Sequence, residues 1–412
     1  MAEALKARPM YLDKLLAVKD NGLIKVVTGM RRCGKSSLLA LLSQRLVDDG
    51  VPADHVISIN LESFQYSAFD YAQLYRHLDG LMQTGGRYYL LLDEVQLIDG
   101  WEKAVNALRV DKDADIYLTG SNAHLLSSQL ATLLSGRHIE IRVFPLSFSE
   151  FLQYTGLGAS PADRASAFDR YTRYGGLPPV VDQGANQSLA HTVLSGIYDT
   201  ILVRDIAQYL QIRNPMVFND VARYLADTAG SPVSINKIEH RLKSARRTTA
   251  NETIERYISG LLDAFLFYRA QRINVKGGDY LQGLNKYYPA DLGIKNMLLG
   301  YPAGDFGFLL ENVVHNELRT RGYEVQVGKM DGLEIDFVAT RTRDDLTLER
   351  LFIQGSASIL DTHTRERELE PLRRLGNAGL SGRRIVLTLD TFGLGSMNDG
   401  VDVINAVDWL TM

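Results

Sequence analysis

Between Leu23 and Val143 the chain alternates short, nearly continuous apolar runs with stretches of helical spacing. The runs fall at 23–28, 56–60, 88–92, 115–119 and 139–143. Runs of that length without polar alternation predict strands buried on both faces, hence a parallel sheet covered by helices. After Pro145 the spacing becomes helical up to about residue 210, broken by a turn at Gly175, Gly176, Pro178 and Pro179. From about 215 to 273, three helical patterns with a break at Ser231-Pro232 lead into a β-rich stretch at 265–273. Three short helices and a hairpin predict a winged helix-turn-helix. In 306–321, Leu309, Leu310, Val313, Val314 and Leu318 repeat at helical spacing. Strand-like runs follow at 323–327, 334–339, 351–354, 384–388 and 401–405, with a helical stretch at 364–375 among them. That order predicts a further α/β domain.

Composition changes this picture little. Hydrophobic residues make up 45% and charged residues 23% of the 412, an ordinary globular balance. A net charge of -4 excludes a uniformly basic nucleic-acid coat, so any nucleic-acid surface must be a local patch. Cys33 is the single cysteine, which excludes an intrachain disulfide and a multi-cysteine metal cluster and fits a reducing compartment. The first residues alternate charged with apolar side chains and lack the apolar core of a signal peptide. No apolar stretch approaches the ~20 residues of a membrane helix. A soluble, cytoplasmic protein with no membrane partner is expected.

The first chemistry lies directly after the first run. Residues 29–36 read Gly-Met-Arg-Arg-Cys-Gly-Lys-Ser, matching G-x-x-x-x-G-K-[ST] at every fixed position, between a strand and a helical run at 37–46. Glycines there let backbone N–H groups turn inward around phosphates, and the helix N-terminus adds partial positive charge. The residues expected against ATP are Gly29, Arg32, Cys33, Gly34, Lys35, Ser36 and Ser37. Lys35 suits the β- and γ-phosphates, and the Ser36 hydroxyl suits Mg²⁺. The third run ends in Asp93-Glu94, which sets two carboxylates at the C-terminal edge of the sheet, where open α/β folds bind ligands. Asp93 is expected in the Mg²⁺ shell and Glu94 as general base toward the attacking water.

With 56–60 intervening between these two motifs, the order resembles the additional-strand glutamate class of P-loop ATPases, which includes the AAA+ proteins. That resemblance implies a polar sensor residue after the run 115–119. Ser121 and Asn122 are the candidates, with Thr119 a third and Asn122 expected to reach the nucleotide. Arg137, before the last run, suits stabilisation of charge on the transferred phosphoryl, in cis or in a neighbouring subunit. A solvated arginine is the alternative. Arg204 is a weaker candidate, for which pairing with Asp205 or a place on a helix face is the favoured competing reading.

The middle of the chain carries a local basic patch. Lys237, Arg241, Lys243, Arg246 and Arg247 face only Glu239 across 231–250. Basic residues in a helix-turn-helix setting suit contact with a DNA backbone, although a solvated helix face gives the same pattern. Further on, Glu334-Ile335-Asp336-Phe337 places an acidic residue in a strand, as in the metal site of restriction-endonuclease-like nucleases. Asp336 is the first candidate ligand and Glu311 another. The partner strand reads Gln354-Gly355-Ser356, where such a site needs Glu-x-Lys. A neutral amide is a poorer Mg²⁺ ligand and a serine cannot replace the cation, so a nuclease-like fold with a broken site is expected.

Together the phosphate loop with Arg31-Arg32, the Leu-Leu-Asp-Glu strand, Thr-Gly-Ser at 119–121, Ser-Gly-Arg at 135–137 and Pro-Leu-Ser-Phe-Ser-Glu-Phe at 145–151 resemble one family. It is the prokaryotic AAA-type ATPase family with a C-terminal domain of unknown function. Gly-Gly-Leu-Pro at 175–178 and Glu-Ile-Asp-Phe at 334–337 extend the likeness. The resemblance implies an α/β protein with an AAA-like P-loop ATPase domain at 1–150 and a helical lid at 151–210. A winged-helix domain at 211–290 and a restriction-endonuclease-like domain at 291–412 would follow. Three functions are consistent with this. One is Mg²⁺-dependent ATP hydrolysis coupled to DNA binding or remodelling. Another is an ATP-driven switch acting on a protein partner, and the third is an ATP-dependent nuclease. Self-association is compatible with all three.

Overall fold

The computed structural model describes residues 5–120, 134, 136–184, 186–207, 210–212, 214–247, 249–281, 284–302 and 306–412. The chain divides into two compact units, Met1–Pro145 with Thr200–Tyr209, and Leu146–Asp199 with Leu210–Met412.

In the first unit the five apolar runs form β1 (Ile24–Thr28), β2 (Val56–Asn60), β3 (Tyr88–Asp93), β4 (Ala114–Thr119) and β5 (His138–Arg142). They make one parallel sheet in the order β2-β3-β4-β1-β5. This arrangement resembles the AAA+ P-loop fold. The strand that separates β1 from β3 in space is β4, whereas β2, which intervenes in sequence, lies at the sheet edge. The wholly buried β1 and β3 explain their lack of alternation. Lys25, inside the first run, is tolerated there because its ammonium pairs with Asp115, both buried. Helices Lys35–Asp48, Tyr71–Leu81 and Trp101–Asp111 contribute Leu38, Leu74, Leu78 and Trp101 to the buried interior.

The second unit contains helices Phe148–Thr155 and Pro161–Tyr174, the latter started by a capping box between Ser160 and Asp163. Phe148, Phe151 and Phe168 share a core with Leu310, Phe337 and Ile385. The stretch 151–210 is therefore divided: its helices up to Asp199 pack within the second unit, and Thr200–Tyr209 within the first.

Helices Pro215–Asp227, Ile235–Ser244 and Asn251–Asp263 follow, close to the sequence expectation. The expected hairpin at 265–273 is different. β6 (Phe267–Ala270) pairs antiparallel with β8 (Lys286–Pro289), while β7 (Arg272–Asn274) joins another sheet. Val233 forms an antiparallel bridge to Asn285 beside β8, completing a winged-helix arrangement. Sequence runs alone cannot distinguish a local hairpin from pairing across an intervening strand.

The remaining strands are β9 (Glu324–Met330), β10 (Leu333–Thr342), β11 (Leu348–Ser356), β12 (Arg383–Thr388), β13 (Gly395–Ser396) and β14 (Val401–Asn405). With β7 they form a mixed sheet in the order β13-β14-β12-β11-β10-β9-β7. Helices Phe306–Thr320 and Thr362–Asn377 accompany it. Among the described residues, no helix is long and apolar enough to cross a membrane.

Candidate functional site

The phosphate loop leaves β1 at the C-terminal edge of the parallel sheet. Gly29 has φ of 143°, and a Cβ there would lie 2.1 Å from the Val143 carbonyl oxygen, so the close approach of the loop to the chain after β5 requires glycine. The buried Cys33 packs against the same carbonyl, with Sγ 3.4 Å from Val143 O. Arg8 braces the loop from the N-terminal segment: Nη1 donates to Cys33 O at 2.8 Å and Nη2 to Phe144 O at 3.1 Å. Lys35 is buried, and its Nζ donates to the carbonyls of Gly29 (2.9 Å) and Met30 (3.2 Å). Arg32, Ser36 and Ser37 are exposed, which leaves the loop mouth and the start of helix Lys35–Asp48 accessible.

β3 delivers Asp93 and Glu94 to the same edge. The Thr119 hydroxyl at the end of β4 donates to Asp93 Oδ1 and accepts the Glu94 N–H at 2.9 Å. Burial pushes the Asp93 carboxyl up, and hydrogen bonds from Thr119 and Ser36 oppose that rise. Asp93 and Ser36 thus meet, and Glu94, in a left-handed backbone conformation (φ 55°), is held through its own N–H. The donor set of one hydroxyl and one carboxylate consists of hard oxygens, which fit Mg²⁺.

Other predicted residues fare differently. Ser121 and Asn122 lie outside the described residues, and the sensor-turn contact that is visible belongs to Thr119. Arg137 is exposed at the start of β5, whose His138 is paired with Ile24. The loop leaves the far end of β1, a strand of five residues or about 16 Å. The structure therefore does not bring Arg137 to its own phosphate loop. Asp205 pairs with Arg31 (3.7 Å), and Arg204 reaches Glu62 (3.8 Å) rather than Asp205. Arg31 also meets Glu62 at 3.1 Å. Sequence reasoning missed Glu62, although its place just beyond β2, at the ligand-binding edge, was a usable signal.

In the winged helix, Lys237, Arg241, Lys243 and Arg246 are exposed and Arg247 is half-buried. Three of these five are neutralised in place: Arg241 by Asp227 (4.0 Å), Lys243 by Glu239 (2.7 Å) and Arg247 by Asp220. Helix Asn251–Asp263, third in the arrangement and the one that enters a DNA groove in DNA-binding forms of this motif, exposes Glu252 and Glu255 beside Arg256.

In the mixed sheet, Asp336 and Gln354 are neighbours. Gln354 Oε1 accepts the Asp336 N–H (2.6 Å), its amide donates to Glu368 Oε2 (3.1 Å), and Gly355 N–H donates to Asp336 Oδ2 (2.9 Å). Ser356 is turned to Ser358 O (3.0 Å). A cation does approach the acidic residues, from a place the motif does not indicate. Lys286 Nζ on β8 is 3.0 Å from Glu311 and 2.9 Å from Glu334, and Tyr288 donates to Glu311 at 2.7 Å. Burial, reinforced by Glu311, drives the Asp336 carboxyl well above its ordinary range, while Lys286 and the Gly355 N–H oppose the rise. No group of three His, Cys, Asp or Glu side chains that could hold a metal ion occurs among the described residues.

Comparison with known proteins bears on the family of the chain. Residues 21–152 match an AAA domain family, and 165–305 match a domain of unknown function. An uncharacterised Haemophilus influenzae protein is 38% identical over 413 residues, covering 100% of both chains. An uncharacterised Methanocaldococcus jannaschii protein is 28% identical over 349 residues, 81% of this chain and 76% of that one. Among solved structures, a Thermotoga maritima RuvB variant aligns over 65% of this chain and 90% of its own, with 14% identity and a TM-score of 0.33. A likeness that loose says nothing of what this chain does.

Proposed function

We propose a function from one premise: this chain belongs to one family with its Haemophilus influenzae relative, which it matches end to end, and its residues 21–152 match an AAA domain. It binds ATP at residues 29–37 and hydrolyses it with Glu94 as the base. The observation that carries this reading is the Thr119 hydroxyl tying Asp93 and the Glu94 backbone together, with Ser36 bonded to Asp93. Lys35, Arg32, the loop N–H groups and, from the sensor turn, Asn122 take the phosphates. Lys35 exchanges its bonds to the Gly29 and Met30 carbonyls for phosphate oxygens. Mg²⁺ held by Ser36 and Asp93 would neutralise charge on the β- and γ-phosphates. Glu94 accepts a proton as the water oxygen bonds to the γ-phosphorus and the bond to the β-phosphate bridging oxygen breaks, leaving ADP and phosphate. Arg137 is confined to a neighbouring copy's site, which ties that role to self-association. The four-part division at 150, 210 and 290 remains part of this proposal.

The output of hydrolysis is DNA handling through the winged helix, with Lys237 and Arg246, exposed and without an ion pair among the described residues, as its backbone contacts. The acidic exposed face of helix Asn251–Asp263 favours a second reading, a nucleotide-driven switch on a protein partner. An ATPase assay with and without branched, double- and single-stranded DNA, beside a mass measurement, separates them. DNA-stimulated turnover supports the first. Absence of binding to every DNA form at low salt removes it and leaves the second. Lys35→Ala is expected to weaken nucleotide binding, and Glu94→Gln to retain ATP without turnover. Hydrolysis by Glu94→Gln at the wild-type rate would show that the base is another group.

A further inference from the structure

One buried carboxylate near the phosphate loop has no part in the chemistry above. Outside Met1–Pro145 the first unit contains only the segment Thr200–Tyr209. Its residues Ile201–Ala207 form a π-helix, a rare geometry that recurs at functional sites. Ile201 and Ile206 anchor the segment by complete burial. Between them Asp205 is 5% exposed, with Oδ1 3.7 Å from Arg31 Nη1 and Oδ2 without a hydrogen-bond partner among the described residues. Burial pushes Asp205 up to about 6, Arg31 and Lys35 oppose the rise, and Glu94 adds to it. Asp205 therefore shares the electrostatic surroundings of Lys35 and Glu94, the two groups assigned to the γ-phosphate and its attacking water.

We propose that Asp205 and an ATP phosphate compete for the loop cation Arg31, making Ile201–Ala207 the segment that registers ATP. The inference rests on the ATP reading of the phosphate loop. A triphosphate competes with Asp205 for the loop cations and repels its carboxylate across a poorly solvated space. The two anions thus oppose each other's binding, and by reciprocity nucleotide loosens the Asp205–Arg31 contact as much as that contact weakens nucleotide binding. The segment is bounded in sequence by Asp199 and Leu210, both of the second unit, so its release is carried along the chain in both directions.

Hydrogen exchange of the full chain, with and without Mg²⁺ and a non-hydrolysable ATP analogue, tests this. The analogue is expected to raise exchange across 201–207 in the wild type. Asp205→Asn is expected to show raised exchange without nucleotide and no further rise with it. It should also bind the analogue on the order of tenfold more tightly. Asp205→Glu should preserve the nucleotide response. Wild-type binding with unchanged exchange in the segment overturns the inference and leaves the ATP reading standing. Weaker binding by Asp205→Asn, with its fold intact by circular dichroism, also overturns it, because the carboxylate would then serve the bound nucleotide. Failure of the wild type to bind the analogue removes the ATP reading and this inference together.

Discussion

At the scale of single residues, Thr119 decides how the two carboxylates after β3 are presented. Its hydroxyl donates to Asp93 and accepts the Glu94 N–H, so one side chain fixes both the proposed Mg²⁺ ligand and the proposed base. Thr119→Val keeps the shape and removes both bonds, leaving a buried N–H without a partner at a cost of about 1–3 kcal/mol. The Glu94 backbone, at φ 55°, is then no longer held. Turnover is expected to fall by about tenfold or more while ATP affinity stays within a few-fold, because the phosphate loop is untouched. Steady-state kinetics beside equilibrium nucleotide binding reads that split. Equal losses in both would mean that Thr119 supports the loop rather than the carboxylates.

At the scale of elements, two features of the second unit explain motifs that carry no chemistry of their own. The Gly-Gly-Leu-Pro turn exists because Asp291 occupies it: Gly176 N–H donates to Asp291 Oδ2 at 2.8 Å, and a Cβ on Gly175 would lie 2.1 Å from Oδ1. Burial pushes Asp291 up to about 6 despite those backbone donors. Helix Phe306–Thr320 carries His315, stacked on Tyr288 with ring centroids 4.1 Å apart. Burial, reinforced by Arg319, pushes His315 down to about 3, so it stays neutral in the fold. A depressed pKa contributes stability that is complete above the unfolded value, about 6.5, and is lost as pH falls toward the folded value. Asp291, with a raised pKa, acts in the opposite sense, gaining as pH falls through 6. The difference between His315→Phe and wild type isolates the histidine. Between pH 6 and 4.5 the variant is expected to lose less stability, by up to about 1.4 kcal/mol per pH unit. Urea titrations followed by Trp409 fluorescence in a Trp101→Phe background measure it, and equal slopes would refute it.

At the scale of the whole molecule, the second unit joins the winged helix and the mixed sheet through charge as well as apolar packing. Lys286 belongs to the β6–β8 pair, yet its ammonium is satisfied by Glu311 and by Glu334 of β10. Lys286→Met leaves Glu311 buried without its counter-ion. The second unit is expected to lose about 3 kcal/mol, the typical cost of breaking a buried pair from one side. Lys286→Arg should recover part of that loss. Thermal unfolding monitored at Trp409 makes the comparison, and a neutral Lys286→Met would mean the pair is cancelled by its desolvation.

By itself the sequence determined what depends on neighbours along the chain. Strands β1, β3 and β4 were legible to within a residue or so because strands buried on both faces cannot carry polar alternation. The phosphate loop was legible because its backbone geometry admits few residue types. Asp93-Glu94 followed from position alone, at the end of an apolar run. Only the tertiary structure decided which distant groups meet those residues. Thr119 faces Asp93 because β4 pairs beside β3. Asp205 meets Arg31 because a segment remote in sequence returns to the first unit. Arg137 is kept from its own loop because parallel strands put it at the opposite sheet edge. Arg241 and Arg247 of the basic patch meet Asp227 and Asp220 of a different helix, and Lys286 reaches Glu311 from a strand outside its helix. Ion pairs and hydrogen bonds act over a few ångströms of space regardless of separation in sequence, so no local pattern records them.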